Sequence, residues 1–251
     1  MDLLAIRTFA IVGVMLVVTA FSTRLNKAFE TAWEMWGLFI GLIALVIITP
    51  MFSFPINLGL ALIFSVVMGL VIGPGIRGMM LNFVTRKRLE SEGYSAERLK
   101  GMPKEEVEML AKRIHDEFEQ GGHDALATEW NNVVALAIYS TAAITIVAAV
   151  IVFAFALDFS FLGMGLLIAL IALVVVGLLN AFFFRSPFMR LALAYAGAVI
   201  FSLFLLYDFG RLKEAIAAGD SSWEVAVSIG ISIYLDVINL FMDLLQILSD
   251  H

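Results

Sequence analysis

Two aspartates, Asp208 and Asp236, lie deep inside apolar stretches near the C-terminal end of the sequence. An ionised carboxylate in hydrocarbon costs at least about 2.5 kcal/mol, so an aspartate in such a position is expected to face the interior of a helix bundle and marks a candidate functional site. Two close carboxylates in a low dielectric cannot both ionise readily and tend to share one proton. Carboxylate oxygens are also the ligands that Ca²⁺ prefers. The pair therefore predicts chemistry that involves protons and cations.

The two stretches that carry these aspartates are predicted to form a helical hairpin. They cover residues 201–219 and 221–249. Gly219 suits a helix C-cap, and Ser221 with Glu224 has the pattern of a capping box. At 1.5 Å per residue, the first aspartate lies about 16 Å and the second about 22 Å from the turn. The two carboxylates are therefore predicted to occupy similar depths.

The composition of the chain is that of an all-α polytopic membrane protein. Of its 251 residues, 61% are apolar and only 15% are charged, and the mean hydropathy is +0.97. The apolar runs are continuous, which favours helices over the alternating strands of a barrel. The net charge of -6 includes no basic patch of the kind that binds nucleic acid. A bilayer is therefore the predicted environment.

The length allows about seven spans of roughly 20 residues in a single membrane domain over residues 1–251. The third span is expected to break at Gly73-Pro74-Gly75, and Asp243 in the seventh is expected to approach the membrane interface. The predicted fold is a seven-helix bundle that ends in the aspartate-bearing hairpin. Its spans are placed at residues 3–21, 36–48, 57–72, 131–157, 159–184, 187–207 and 221–249.

A polar insert, residues 85–130, separates the third span from the fourth. It contains eight basic and eleven acidic residues. Apolar residues recur at helical spacing after Pro103 as far as Gly121-Gly122, which predicts an amphipathic helix packed on its own protein. His115 and His123 show no ligand spacing, so neither a metal site nor another cofactor is predicted.

Two motifs in the predicted hairpin resemble those of the transmembrane Bax inhibitor family. The first is Leu206-Tyr207-Asp208, and the second is the octapeptide Tyr-Leu-Asp-Val-Ile-Asn-Leu-Phe that begins at Tyr234. A weaker likeness covers residues 57–74 and 137–142. The bacterial members of this family are seven-span membrane proteins, so the resemblance implies the same architecture.

The resemblance also implies a pH-sensitive leak of Ca²⁺ across the membrane, with Asp208 and Asp236 as gate, pH sensor and transient Ca²⁺ ligands. Some members have an arginine at the end of the second span that can latch to the aspartates. Here that span ends at Pro50 without a basic residue, and Arg211 follows Asp208 by three residues on the same helix face. The predicted supporting residues are Arg211, Asn239, Tyr207 and Tyr234.

Two other functions remain open. The aspartates can act only as hydrogen-bonded packing contacts between helices. Alternatively, the chain can be a regulator or adaptor that binds other membrane proteins, because some bacterial relatives are associated with a membrane-bound protease. An enzyme is not predicted, because no nucleophile, base and orienting group occur at a recognisable spacing.

The orientation in the membrane is also left open. Eight Lys and Arg residues lie near the span ends on one side, against three on the other. The positive-inside rule then places the N-terminus outside and the C-terminus in the cytoplasm, whereas the resemblance to bacterial members implies the reverse. The compact size without a targeting extension suits a bacterial inner membrane.

Overall fold

The structure is a computed structural model that describes residues 2–25, 32–121, 124–155 and 157–250. Within these ranges the regular structure is helical throughout. Gly122 and His123, named above, lie outside the described residues. The helices are α1 (Leu3–Ser22), α2 (Ala32–Ile48), α3 (Ile56–Ser91), α4 (Ala96–Gly101), α5 (Lys104–Glu119), α6 (Asp124–Ala154), α7 (Leu162–Leu179), α8 (Pro187–Ala217) and α9 (Trp223–Ser249).

Six of the helices in the described ranges are long and apolar enough to cross a membrane: α1, α3, α6, α7, α8 and α9. Helix α2 has 17 residues, so at 1.5 Å per residue it is about 26 Å long, slightly less than a hydrocarbon core of about 30 Å. Length and composition therefore establish an all-helical integral membrane protein with six candidate spans, one fewer than the sequence predicts.

The break predicted at Gly73-Pro74-Gly75 is wrong, because α3 is one continuous helix of 36 residues that includes Pro74. A proline removes only one backbone donor, and membrane helices tolerate it where neighbouring protein restores the contacts. The glycines here permit close packing. A Cβ atom at Gly69 would lie 2.6 Å from the Thr19 carbonyl oxygen, and one at Gly73 would lie 3.1 Å from the Thr23 carbonyl oxygen. Small residues four apart let α3 approach α1, as in other membrane helix pairs.

Helix α9 is the centre of the bundle. It packs against α8, α1, α6 and α3, and 56% of its most apolar 18-residue window is buried inside the protein, against 6% for α7. Helix α7 is therefore exposed on most of its surface, as expected for a helix in contact with lipid. A polar side chain on α9 is accordingly held in a protein environment.

The insert continues the bundle at one end. The last turns of α3, together with α4 and α5, pack around a second apolar cluster that includes Val84, Ile114 and Leu245. Ile114 of α5 is fully buried, so this amphipathic helix packs on its own protein as predicted. Helix α5 begins at Lys104 with Pro103 as its N-cap.

The turn between α8 and α9 corrects one predicted cap. Gly219 has a φ of +76°, which glycine adopts without strain at the end of a helix. The N-cap of α9 is Ser222, not Ser221, and Glu224 instead accepts a hydrogen bond from the Phe54 backbone N–H at 3.0 Å. The Ser222 N–H donates to the Asp220 carboxylate at 2.7 Å and lowers the pKa of that carboxyl. The turn is thus stabilised by Asp220, which the capping-box pattern does not include.

Candidate functional site: a buried carboxyl pair between two helices

The structure brings Asp208 of α8 and Asp236 of α9 together in the bundle interior. Only 3% of Asp208 and 6% of Asp236 is exposed, and the two carboxyl groups are near neighbours that influence each other electrostatically. The two helices are joined by a short turn and pack along their lengths. A hydrogen bond between two carboxyl groups would require one of them to be protonated, because ionised carboxylates only accept. The arrangement therefore places two carboxyl groups where they can share one proton.

Arg211 supplies the charge next to this pair. Its Nη1 donates to the Asp208 Oδ1 at 3.0 Å, and the side chains are 39% and 5% exposed respectively. The predicted spacing of three residues along α8 thus produces a real contact. The arginine reaches from the partly exposed surface to the buried carboxylate. Asp236 Oδ2 has no hydrogen-bond partner among the described atoms.

The walls around the pair are apolar. Leu205, Phe209 and Leu212 of α8 are fully buried, and so is Leu240 of α9, while Ile233 is 1% exposed. These side chains belong to the main apolar cluster of the bundle. Electrostatic interactions are stronger in such surroundings than in water. The charge of Arg211 therefore acts on the pair with little screening from the protein side.

Tyr234 lies on a different face of α9 from the pair and connects three helices. Its hydroxyl group and the Thr19 hydroxyl of α1 are 2.5 Å apart, and the Thr19 hydroxyl donates to the Ser65 carbonyl of α3 at 3.0 Å. The Tyr234 ring also packs edge-on against Phe64, with centroids 6.0 Å apart. The residue thereby fixes α9 against α1 and α3. Thr19 and Ser65 carry no motif in the sequence that would identify them as its partners.

The other two predicted supporting residues make local contacts. Asn239 donates through its side-chain amide to the Leu235 carbonyl of its own helix at 2.9 Å. The Tyr207 ring packs over Gly163 of α7, where a Cβ atom would lie 2.9 Å from the ring. The Arg211 guanidinium lies 5.9 Å from the centroid of that ring. Tyr207 thus contacts the arginine that contacts Asp208.

Asp243 packs against α8, a contact that its sequence position does not indicate. Its Oδ2 atom is buried and has no hydrogen-bond partner among the described atoms. A Cβ atom at Gly197 of α8 would overlap its carboxylate. Sequence reasoning missed this position because only the packing of α8 shows the space that a glycine leaves there.

These features define a helical membrane protein with a buried carboxyl pair on its last two long helices. The family described as "Inhibitor of apoptosis-promoting Bax1" matches residues 125–251, which is half of the chain and includes α6 to α9. The chain belongs to this Bax inhibitor family.

Several curated proteins from distant organisms are similar to part of the chain. An uncharacterized protein of Campylobacter jejuni is 38% identical over 91 residues, which cover 36% of each chain. The Golgi anti-apoptotic protein of vaccinia virus is 40% identical over 92 residues, or 37% of this chain and 36% of the viral protein. Protein lifeguard 4 of Mus musculus is 39% identical over 92 residues, with the same coverage. The matched stretch thus spans little more than a third of each of these relatives.

Proposed function

We propose that the chain is a pH-sensitive cation leak channel that conducts Ca²⁺ and is gated by Asp208 and Asp236. The observation that carries this proposal is the buried contact between the two carboxyl groups beside Arg211. A structural pair needs no charge at this place, because two apolar side chains would pack there at lower cost. Membership of the Bax inhibitor family supports the same function by resemblance.

The shared proton resides on Asp236 in the closed state. Arg211 donates to Asp208 and not to Asp236, so the ionised form of the pair is favoured at Asp208. Protonated Asp236 then donates to Asp208 and holds α9 against α8. Tyr234 contributes by fixing the opposite face of α9 to α1 and α3. The middle of the hairpin is therefore closed by one proton.

Loss of that proton opens the contact. Two carboxylates remain with one guanidinium, so repulsion between them exceeds what Arg211 compensates. The oxygens that previously shared a proton become ligands for a hard cation, and Ca²⁺ takes carboxylate oxygens in flexible coordination. The same two residues thus serve as gate and as transient Ca²⁺ site, and the leak increases as the pH rises.

The test is Ca²⁺ entry into liposomes that contain the purified protein, measured from about pH 6 to pH 8, where a coupled carboxyl pair titrates. Asp236→Asn keeps the shape of the protonated carboxyl but cannot release a proton, so its leak is expected to stay low at every pH. Asp208→Asn removes the ionised member and is expected to alter the profile as well. Asp158→Asn is the matched control, because it removes the same charge from an exposed loop.

An unaltered pH profile in both hairpin variants contradicts the proposed gate. No flux above empty liposomes at any pH contradicts the channel itself and favours the regulator or adaptor, whose contacts with other membrane proteins would involve the insert. Retained flux with an altered profile only in the hairpin variants supports the proposal.

We further propose that α2 is a seventh crossing and that the protein resides in a bacterial inner membrane. Helix α2 is apolar, and a short helical turn, Thr49–Met51, extends it. Its length of about 26 Å is within the range that a bilayer accommodates by local thinning. Relatives in Campylobacter jejuni and Helicobacter pylori support the bacterial setting.

A further inference from the structure

A cleft lies between α3, α7, α8 and α9, towards the end of α9 that is remote from the hairpin turn. Its volume is about 400 Å³. Most of the lining is apolar, and the polar side chains in it are Asn180, Arg190, Asp243 and Gln246. A cleft of this kind can admit water and small ions into the bundle.

The Asp243 carboxylate lies in this cleft without a protein partner that stabilises its charge. Its Oδ2 is buried and accepts no hydrogen bond from the described residues. Gly197 of α8 leaves the space that the carboxylate occupies, because a methyl group there would overlap it. A buried carboxylate oxygen without a donor is costly unless a proton, a cation or water compensates it.

Asp243 is aligned with the gate. It follows Asp236 by seven residues, so the two side chains project from nearly the same face of α9, about 10 Å apart along the axis. The cleft therefore lies on the side of the carboxyl pair where α9 ends, about two helical turns from it.

The cleft continues into a smaller cavity of about 150 Å³, which shares Met79, Arg190 and Gln246 with it. At this outer end Arg190 is neutralised by Asp250, with Nη2 and Oδ1 3.4 Å apart. Gln246 also donates to Asp250, at 2.9 Å. Arg190 thus has its own counter-ion, and Arg86 of α3, which also lines the smaller cavity, lies 4.0 Å from Glu90; both acidic partners weaken the repulsion of a cation.

We propose that Asp243 forms a low-affinity divalent-cation site in this cleft. It is a second binding site, separate from the carboxyl pair, on the same conduction path. The role of the site in conduction rests on the proposed function, whereas its existence does not. One carboxylate with water as the remaining ligands offers fewer protein ligands than a complete calcium site, so its dissociation constant is expected at the weak end of the known range, about 10⁻³ M or above. Weak binding suits a conducting path, because the ion must also leave.

The direct test is binding of Mn²⁺, a divalent probe visible by electron paramagnetic resonance, to the protein in phosphatidylcholine nanodiscs. At about 10 mM Mn²⁺, a concentration well above a dissociation constant of about 10⁻³ M, Asp243→Asn is expected to bind up to one ion fewer per chain than the wild type. Asp158→Asn is the control for the lost charge and is expected to bind as the wild type does. Gly197→Ala keeps the carboxylate but displaces it, and is expected to weaken binding.

Equal binding by the wild type and Asp243→Asn, including no binding by either, overturns the site. Calcium flux separates this result from a failure of the channel. If both proposals hold, Asp243→Asn slows Ca²⁺ entry several-fold without moving the pH at which the leak is half-maximal. If the wild type binds the extra Mn²⁺ but conducts no Ca²⁺, the cation site is supported and the channel proposal is contradicted. If the wild type conducts Ca²⁺ but binds no more Mn²⁺ than Asp243→Asn, the channel is supported and the cation site is contradicted.

Discussion

Replacement of Arg211 by glutamine tests how charge beside the carboxyl pair sets the pH of opening. Arg211 donates to Asp208 at 3.0 Å and favours the ionised form of that carboxyl. Without it, the pair binds its proton more tightly and retains it to higher pH. Because the protonated pair is the closed state, the half-maximal leak in Arg211→Gln is expected at higher pH than in the wild type.

The size of the shift follows from the exposure of the two partners. An exposed pair at this helical spacing contributes about 0.3 to 0.5 kcal/mol, and a hydrogen bond to a charged group inside a protein about 1.5 to 3 kcal/mol. Arg211 is 39% exposed and Asp208 only 5%, so solvent screens the arginine but not the carboxylate. We therefore expect Arg211 to stabilise the ionised carboxyl by an intermediate amount, about 1 kcal/mol. Loss of this contribution corresponds to a shift of about 0.7 pH units in the midpoint of the leak.

The assay is the initial rate of Ca²⁺ entry into liposomes at closely spaced pH values. Arg211→Lys retains the charge and is expected to shift the midpoint less. Lys213→Gln removes the same charge nearby, but Lys213 donates to the Val152 and Phe155 carbonyls of the α6 end at 2.8 Å, so the midpoint is expected to change little. A midpoint that stays in place or falls in Arg211→Gln refutes this account of the pair.

Two further predictions concern the bundle. Gly69→Ala places a methyl group 2.6 Å from the Thr19 carbonyl oxygen and is expected to lower the free energy of unfolding by about 1 to 3 kcal/mol. The control Gly78→Ala has nothing within 4 Å of the new methyl group, so its free energy of unfolding is expected to stay unchanged or rise by up to about 1 kcal/mol. Equal thermal stability of the two variants in detergent contradicts the close helix contact. The crossing of α2 can be tested with single cysteines in place of Leu25 or Ser53, because the chain has no cysteine of its own. If α2 crosses the bilayer, an impermeant maleimide labels the two positions from opposite sides of the membrane. Labelling of both positions from the same side excludes the crossing.

The buried position of Asp208 and Asp236 could be predicted because it depends on the sequence within two adjacent helices. Each aspartate interrupts an apolar stretch, and the distance of each from Gly219 fixes its depth. The contact with Arg211 follows from a local spacing of three residues. Features that depend on one helix and one short turn are thus accessible to sequence reasoning.

The features that could not be predicted depend on contacts between distant parts of the chain. Pro74 indicates a break when its neighbours are read alone, but the approach of α3 to α1 at Gly69 and Gly73 is compatible with a continuous helix. Glu224 fits a capping box, yet its carboxylate accepts from Phe54, 170 residues away. The packing of the Asp243 carboxylate against Gly197 depends on another helix and has no local signal in the sequence.

At each end of α9 an arginine from another helix donates hydrogen bonds to backbone carbonyl groups and not to carboxylates. At the start, Arg7 of α1 donates to the Ser221 carbonyl and stacks over the Trp223 ring, 4.4 Å from its centroid. At the finish, Arg86 of α3 donates to the Ser249 carbonyl at 2.9 Å and to the Asp250 carbonyl. Backbone carbonyls do not titrate in the physiological range, so both anchors persist while the middle of the helix responds to protons. If the carboxyl pair opens as proposed, acidity would therefore change the bend and rotation of α9 between two fixed ends and leave the position of those ends unchanged.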